Sequence, residues 1–179
     1  MAGDRDVSAL DLKRFVRTVA DFPSPGIQFR DLTPLMGDAT ALAEAVAQLV
    51  APFRDADVDV VAGIEARGFI FGALAAAALG AGFVPLRKAG KLPGEVERIE
   101  YALEYGGATL DVHRDALGEG RRVLLVDDVL ATGGSAAAGI ALLRRLAGDI
   151  VGAAFVLEIA ALGGRARLAG LRVHSVLAY

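Results

Sequence analysis

Residues 123–135 read VLLVDDVLATGGS, and this stretch decides the fold. Residues 123–126 are a short run of valines and leucines, which is typical of a strand buried on both faces of a parallel sheet. We expect the strand to end at Asp127 and Asp128, and the apolar periodicity of residues 136–146 predicts a helix after the loop. Ligands of open α/β sheets bind off the carboxyl ends of strands. The stretch therefore predicts a parallel α/β sheet with a ligand site at its edge.

The loop within this stretch has the chemistry of a phosphate site. The hydroxyls of Thr132 and Ser135 and the amides of residues 131–135 can donate hydrogen bonds to phosphate oxygens, and the amino end of a helix favours an anion. Asp127 and Asp128 would repel a phosphate, so we expect them to face ribose hydroxyls or a Mg²⁺ ion that a diphosphate also binds. No lysine follows the glycines at the spacing of a nucleotide P-loop. A sugar phosphate is therefore the predicted ligand.

The pattern of a hydrophobic run, Asp-Asp, two residues and Ala-Thr-Gly-Gly-Ser resembles the phosphoribosyl diphosphate (PRPP) signature of the type I phosphoribosyltransferases. On this stretch alone, the alternative is an ordinary strand, turn and helix. The resemblance implies a parallel sheet flanked by helices, with a small N-terminal hood and a β-hairpin lid. It implies that Asp127 and Asp128 are catalytic and lie near a Mg²⁺ ion held mainly by PRPP, with no direct metal ligand from the chain. It assigns the 5′-phosphate of PRPP to Ala131, Thr132, Gly133, Gly134 and Ser135.

A second motif lies far from the first, in residues 21–34, which read DFPSPGIQFRDLTP. Its prolines exclude a helix and predict an extended, rigid loop. An aromatic side chain on such a loop can stack on a planar ligand, although Phe29 could also be a buried residue of a plain connector. The segment resembles the adenine-binding segment of the adenine phosphoribosyltransferases. This resemblance implies that Gln28, Phe29 and Arg30 bind adenine, with Ile159 on the opposite face of the base.

Residues 65–68, with the sequence EARG, follow a predicted buried strand over residues 57–64 and precede a predicted helix. The guanidinium group of Arg67 suits a phosphate. Alternatively, Arg67 forms an ion pair with Glu65 in a plain strand-to-helix turn. The segment resembles the diphosphate loop of the family, and this resemblance favours phosphate binding by Arg67.

A basic loop follows the next predicted strand, and it contains Arg87, Lys88 and Lys91 among glycines and a proline. It suits either a plain solvated loop or a lid that supplies positive charge to a diphosphate. Beyond it, apolar residues alternate on either side of a Gly-Gly pair, which predicts a hairpin up to His113. The run resembles the lid of the adenine phosphoribosyltransferases. The resemblance implies diphosphate contacts by the three cations and Tyr105, and a catalytic role for Glu104.

The length of 179 residues suits a single domain over residues 1–179, with the hood at about 20–36 and the lid at about 87–112. The net charge of -3 and the lack of a basic cluster argue against a nucleic-acid partner. The absence of cysteine excludes disulfides, thiolate metal sites and a cysteine nucleophile. An acidic N-terminus without an apolar segment predicts a cytoplasmic protein.

Two further segments carry structural predictions. Residues 68–86 form a long uncharged run, but the run is rich in alanine and glycine and is broken by Gly80, Gly82 and Pro85. We therefore expect a buried helix, a turn and a strand there, and no membrane span. Near the N-terminus, Ser8 is a candidate cap for a helix through about Ala20.

Together, these resemblances, which extend from about Asp21 to Ile159, imply an enzyme of the adenine phosphoribosyltransferase family, a pentosyltransferase of purine salvage that converts adenine and PRPP into AMP and diphosphate with Mg²⁺ as cofactor. We expect N9 of adenine to attack a ribose C1 that has acquired oxocarbenium-like character. The resemblance also implies a homodimer. Two alternatives remain open: a phosphoribosyltransferase for another purine, and a non-catalytic regulator that senses PRPP and binds DNA.

Overall fold

The computed structural model describes residues 10–102 and 107–179. The chain divides into two compact units, one ending at Ala45 and the other comprising Val46–Tyr179. A two-stranded sheet belongs to the first unit and a seven-stranded sheet to the second. The predicted functional residues are therefore distributed over both units.

The first unit is built on a short antiparallel pair. A 3₁₀ turn over Leu12–Phe15 leads into β1 (Arg17–Ala20), which pairs with β2 (Gln28–Asp31), and the short helix α1 (Thr33–Gly37) follows. The predicted helix through Ala20 is wrong over these residues. Thr18 and Val19 are β-branched and favour extended backbone, and β2 supplies hydrogen-bond partners that a local helical pattern does not reveal.

Helix α2 (Ala39–Val50) begins in the first unit and ends in the second. The carboxylate of Asp38 accepts a hydrogen bond from the backbone N–H of Ala41 at 2.9 Å, as expected of an N-terminal cap. A 3₁₀ turn over Ala51–Phe53 continues this helix.

The second unit is an α/β sheet whose elements follow the order predicted from the sequence. They are β3 (Val60–Ile64), α3 (Arg67–Leu79), β4 (Gly82–Lys88), β5 (Val96–Ala102), β6 (Gly107–His113), β7 (Arg122–Leu130), α4 (Gly134–Arg145), β8 (Asp149–Glu158) and β9 (Val173–Ala178). The strand order is β5-β6-β4-β3-β7-β8-β9. The strands β4, β3, β7, β8 and β9 are parallel, and the hairpin β5-β6 continues the sheet in antiparallel pairing. The predicted parallel sheet with flanking helices and a hairpin is confirmed.

The topology creates one switch point, because β3 pairs with β4 on one side and with β7 on the other. The chain passes through α3 to reach β4, and it passes through α4 on its way from β7 to β8. Ligands of such sheets bind in the crevice beyond the carboxyl ends of the strands at this point. The loops after β3 and β7 are therefore expected to form the site.

The two helices cover opposite faces of the sheet. Alternate residues of β3 point to opposite faces, and Val60, Ala62 and Ile64 belong to the core that also contains α4. On the other face, a Cβ on Gly63 would lie 2.8 Å from the carbonyl oxygen of Gly68 in α3. Glycine and alanine are therefore required where α3 approaches the sheet. This close approach accounts for the glycine and alanine content of residues 68–86. Among the described residues, no helix is long and apolar enough to cross a membrane.

One strand boundary differs from the prediction. Strand β7 continues through Asp127 and Asp128 to Leu130, although carboxylates were expected to mark its end. Asp127 pairs with Phe155 of β8 in the ladder, so the backbone stays extended there. The side chain of Asp128 is satisfied by a distant arginine, which spacing along the chain does not reveal.

A buried carboxylate ties the hairpin to the basic loop. Asp111 is 1% exposed, and its two oxygens accept hydrogen bonds from Nε and Nη2 of Arg98 at 2.6 and 2.8 Å. The Asp111 carboxylate also accepts the backbone N–H of Gly90 at 3.0 Å. The hydrogen bond from Arg98 is the main reason that the pKa of Asp111 lies below its usual value of 3.8. Asp111 thus holds two segments of the predicted lid together.

We predict that Asp111→Asn lowers the free energy of unfolding at neutral pH by about 1.5 to 3 kcal/mol, because it removes hydrogen bonds to a charged group. An acid with a lowered pKa in the folded state stabilises the protein above its unfolded-state pKa, and that stability is lost as the pH falls. The difference between wild type and variant should therefore shrink below about pH 4. Urea denaturation between pH 3 and 8 measures it.

Glu95→Gln is the matched control, because the Glu95 side chain is 84% exposed in its ion pair with Arg114 and should contribute little. A difference for Asp111→Asn that stays constant across this pH range would contradict the assigned role.

Candidate active site

The loop between β7 and α4 forms a cavity of about 330 Å³. All five predicted phosphate-binding residues line it: Ala131, Thr132, Gly133, Gly134 and Ser135. Gly133 has φ +79° and caps helix α4, a backbone conformation that favours glycine. The loop thus presents backbone amides and two hydroxyls at the amino end of a 12-residue helix.

The shape of this loop depends on a glycine that the sequence analysis did not single out. A Cβ on Gly164 would lie 2.1 Å from the carbonyl oxygen of Ala131, and one on Gly133 would lie 2.4 Å from the carbonyl oxygen of Gly164. The two backbones therefore touch directly. The only signal in the sequence was the Gly-Gly pair after Leu162, a residue that also lines the cavity.

A larger cavity of about 660 Å³ is lined by both carboxylates. Its charged lining residues are Glu65, Arg67, Lys88, Asp127 and Asp128. Asp127 lines both cavities. A ligand with an anionic group at each end and hydroxyls in the middle would therefore place its hydroxyls beside the carboxylates.

Arg67 stands in the first turn of α3, and its Nε donates a hydrogen bond to Asp128 Oδ2. The Asp128 side chain is 9% exposed and that of Arg67 is 50% exposed. The alternative pairing of Arg67 with Glu65 does not occur. Since the guanidinium group is held by Nε and half exposed, it can offer its other N–H groups to an anion in the cavity.

The carboxyl group of Asp127 sits at a point of close approach between α3 and β7. A Cβ on Gly68 would lie 2.7 Å from Asp127 Oδ1, and that oxygen accepts the backbone N–H of Asp128 at 2.9 Å. Desolvation, followed by the negative charge of Asp128, raises the pKa of Asp127 well above its usual value of 3.8. A nearby positive charge would stabilise the ionised form of this carboxyl group.

Two of the three predicted lid cations, Arg87 and Lys91, form ion pairs with Glu65, whose side chain is 8% exposed. Lys91 Nζ donates to Glu65 Oε1 at 2.5 Å, and Arg87 Nε donates to Oε2 at 3.4 Å. The backbone N–H of Lys88 donates to Oε2 at 2.9 Å. Burial alone would raise the pKa of Glu65, but these hydrogen bonds and the charge of Lys91 hold that pKa below 4.5.

The hairpin also reaches the phosphate loop. The hydroxyls of Tyr101 and Ser135 are 3.2 Å apart, within hydrogen-bond distance. The sequence analysis missed this contact, because it joins residues 34 positions apart. Glu104 and Tyr105, the predicted catalytic glutamate and its neighbour, lie outside the described residues.

The predicted adenine-binding residues divide between the units. Gln28, Phe29 and Arg30 form most of β2 in the first unit, where the Phe29 ring lies edge-on to that of Phe22 with centroids 5.2 Å apart. Arg30 Nη1 donates a hydrogen bond to the hydroxyl of Thr18. Phe29 is partly exposed.

Ile159 follows β8 in the second unit and is partly exposed. Its backbone N–H donates to the carbonyl of Leu130 at 2.9 Å, which fixes it beside the end of β7. The preceding Glu158 is held by Arg165, whose Nε and Nη2 donate at 3.1 and 2.5 Å.

The donor set around Asp127 and Asp128 fits a hard cation. Both side chains offer carboxylate oxygens, the ligand type that Mg²⁺ prefers, and Mg²⁺ usually binds one or two carboxylates together with substrate phosphates. In the described part of the chain, no group of three or more His, Cys, Asp and Glu side chains is placed to hold a metal ion. The arrangement therefore suits an ion that arrives with an anionic substrate.

Comparison with known proteins gives a consistent result. Residues 35–168 match the family model described as phosphoribosyl transferase domain. The chain is 59% identical over 168 residues to the adenine phosphoribosyltransferase of Methylococcus capsulatus, covering 94% of this chain and 98% of that protein. It is 55% identical to the corresponding protein of Nitrosococcus oceani, again covering 94% and 98%.

Solved structures agree with these relatives. The adenine phosphoribosyltransferase of Rhodothermus marinus superimposes with a TM-score of 0.89 and 50% identity, over 94% of this chain and 96% of that one. The Saccharomyces cerevisiae enzyme, solved with adenine and an imino-altritol bisphosphate, has a TM-score of 0.85 and 39% identity, over 90% and 94%.

We predict that Gly164→Ala raises the dissociation constant for ribose 5-phosphate at least about tenfold. The new methyl group must displace the carbonyl of Ala131 and with it the amides of the phosphate loop. Isothermal titration calorimetry measures the binding.

Gly118→Ala is the matched control, since a Cβ there meets only the Arg121 side chain at 3.7 Å. Unchanged ribose 5-phosphate affinity in folded Gly164→Ala protein would show that the loop does not depend on this contact.

Proposed function

The chain belongs to the adenine phosphoribosyltransferase family of phosphoribosyl transferase domains, and on that premise we propose that it transfers the 5-phosphoribosyl group of PRPP to adenine. The products are AMP and diphosphate, and the reaction serves purine salvage. Support comes from near full-length similarity to proteins of that name and from the two cavities that meet at Asp127.

The two cavities suit the two ends of PRPP. Residues 131–135 bind the 5′-phosphate with backbone amides and with the hydroxyls of Thr132 and Ser135. The diphosphate occupies the larger cavity, where Arg67 and Lys88 line the wall and Arg87 and Lys91 adjoin it through Glu65. Tyr105 is assigned to the same group by family resemblance. In this arrangement, the ribose lies beside Asp127 and Asp128.

The carboxylates act on the ribose. As the bond from C1 to diphosphate loosens, C1 acquires positive character, and the negative charges of Asp127 and Asp128 stabilise it. Their oxygens also accept hydrogen bonds from the ribose hydroxyls and hold the sugar in place. Glu104 is assigned to catalysis by family resemblance. N9 of adenine then forms the new bond to C1, the bond from C1 to the diphosphate oxygen breaks with its electron pair on diphosphate, and the N9 proton is released to a base or to water.

Mg²⁺ is the proposed cofactor, and Asp127 and Asp128 lie where they can help to hold it together with PRPP. When bound, Mg²⁺ supplies positive charge that neutralises the diphosphate leaving group. The proposal needs no metal site built from the chain alone.

Adenine binding is assigned to Gln28, Phe29, Arg30 and Ile159. Phe29 offers a ring face for stacking, and the extended backbone of β2 offers amide and carbonyl groups to the edge of the base. Adenine has a donor at C6 and an acceptor at N1, whereas 6-oxopurines have the reverse. A 6-oxopurine would leave buried polar groups unpaired, at about 1 to 3 kcal/mol for each group.

We further propose that residues 1–179 work as a single phosphoribosyltransferase domain, with the hood at about 20–36 and the lid at about 87–112. Family resemblance supports a homodimer, and the net charge of -3 argues against a nucleic-acid partner. The proposed enzyme is cytoplasmic and has no membrane partner. The ligands are adenine, PRPP, AMP and diphosphate.

The observation that carries the proposal is that Asp127 lines both the cavity of the loop between β7 and α4 and the larger cavity, which also contains Asp128, Arg67 and Lys88. We predict that purified protein with PRPP and Mg²⁺ forms a nucleotide from adenine, at least about tenfold faster than from hypoxanthine or guanine. Chromatography of the products measures this.

A faster reaction with a 6-oxopurine would mean that the base specificity is misassigned and that the enzyme serves another purine. Binding of PRPP without any product would instead favour a non-catalytic PRPP sensor.

A further inference from the structure

We propose that Glu65 is a positioning residue for the diphosphate of PRPP, because it holds the cations of the basic loop in place before the ligand arrives. This inference rests on the proposed function. Family resemblance assigned Arg67, Arg87, Lys88 and Lys91 to the diphosphate, but it gave Glu65 no part. The sequence offered only one alternative for Glu65, an ion pair with Arg67 in an ordinary strand-to-helix turn.

The geometry around Glu65 differs from that of a surface ion pair. Its side chain is 8% exposed, whereas those of Lys91 and Arg87 are 49% and 33% exposed. Oε1 accepts from Lys91 Nζ at 2.5 Å, and Oε2 accepts from Arg87 Nε and from the backbone N–H of Lys88. One carboxylate therefore contacts three residues of the basic loop, which are Arg87, Lys88 and Lys91.

The loop is also closed on itself and anchored at a second point. Arg87 Nη1 donates to the carbonyl oxygen of Lys91 at 3.1 Å, which joins the two cations that contact Glu65. The backbone N–H of Gly90, between them, donates to buried Asp111. Glu65 thus supplies the anchor on the side of the cavity, and Asp111 supplies the anchor on the side of the hairpin.

A carboxylate near a diphosphate has two opposing effects. It repels the ligand, but it also removes the rotamer entropy that long lysine and arginine side chains would otherwise lose on binding. Both oxygens of Glu65 are already engaged with donors, and its two cationic partners outnumber it, so the local charge stays positive. The pre-ordering effect should therefore exceed the repulsion.

The half-exposed cations keep donors for the ligand. Arg87 uses Nε toward Glu65 and Nη1 toward the Lys91 carbonyl, and an ammonium group has three donors, of which Lys91 uses one on Glu65. The diphosphate can therefore bind to cations that remain attached to Glu65.

The test is binding of inorganic diphosphate, in the presence of Mg²⁺, to wild type and to Glu65→Gln. Glutamine keeps the size of the side chain and an acceptor for the Lys88 amide, but it loses the charge that holds Arg87 and Lys91. We expect the dissociation constant for diphosphate to rise at least about tenfold. Ribose 5-phosphate binding, which uses the other cavity, should not change and reports on the fold.

A double-mutant cycle with Lys91→Gln separates positioning from general weakening of the protein. If Glu65 acts through Lys91, the double variant binds diphosphate little worse than Lys91→Gln alone. Glu65→Asp keeps the charge and should restore part of the affinity. In the turnover assay, Glu65→Gln should raise the Michaelis constant for PRPP and leave that for adenine unchanged.

Equal or tighter diphosphate binding by Glu65→Gln would overturn the proposal, because Glu65 would then only oppose the ligand. Fully additive effects of Glu65→Gln and Lys91→Gln would also overturn it. If wild type binds diphosphate but forms no AMP, the proposed function fails while the comparison of diphosphate binding still decides the role of Glu65.

Discussion

The candidate site depends on the close approach of α3 to the strands β3 and β7. A Cβ on Gly68 would lie 2.7 Å from Asp127 Oδ1 and 3.1 Å from the Val126 carbonyl oxygen, and one on Gly63 would lie 2.8 Å from the Gly68 carbonyl oxygen. Only glycine fits at both positions without displacing backbone. This contact brings Arg67 beside Asp128, so a cation and two carboxylates meet at the switch point of the sheet.

Five charged side chains of the site form ion pairs with one another. Arg67 is paired with Asp128, and Arg87 and Lys91 are paired with Glu65. Such pairs compensate the charge of the buried carboxylates, because an unpaired buried charge would be strongly destabilising. They also fix Arg67 in the wall of the larger cavity and hold Arg87 and Lys91 at Glu65. The same contacts thus stabilise the folded chain and fix the positions of the charged side chains.

The sequence predicts local units better than the contacts between them. The unit from β7 to α4 follows from residues 123–135, because a buried strand, a glycine loop and a helix each have a local pattern. The length of β7 was underestimated, since the partner of Asp128 lies 61 residues away. Strand β1 was mistaken for helix, because its partner β2 stabilises it from beyond a proline-rich loop.

The same distinction holds for the site. The residues that line the cavity between β7 and α4 were named from the sequence, whereas the contacts of that loop with Gly164 and Tyr101 were not. Each of these contacts joins segments about 30 residues apart, and no spacing rule connects them. The pairing of Lys91 with Glu65 is of the same kind. Long-range packing therefore adds contacts that the sequence patterns do not predict.

In the proposed mechanism, the carboxylates of Asp127 and Asp128 stabilise the positive charge that develops at C1 of the ribose. The most direct measurement is the turnover number for AMP formation by the double variant Asp127→Asn, Asp128→Asn, with exposed Asp115→Asn as control. We predict that the turnover number of the double variant falls at least about a hundredfold, as for removal of other electrostatic groups of active sites, while its far-UV circular dichroism stays that of the folded protein. Turnover near the wild-type value in the folded double variant would contradict it.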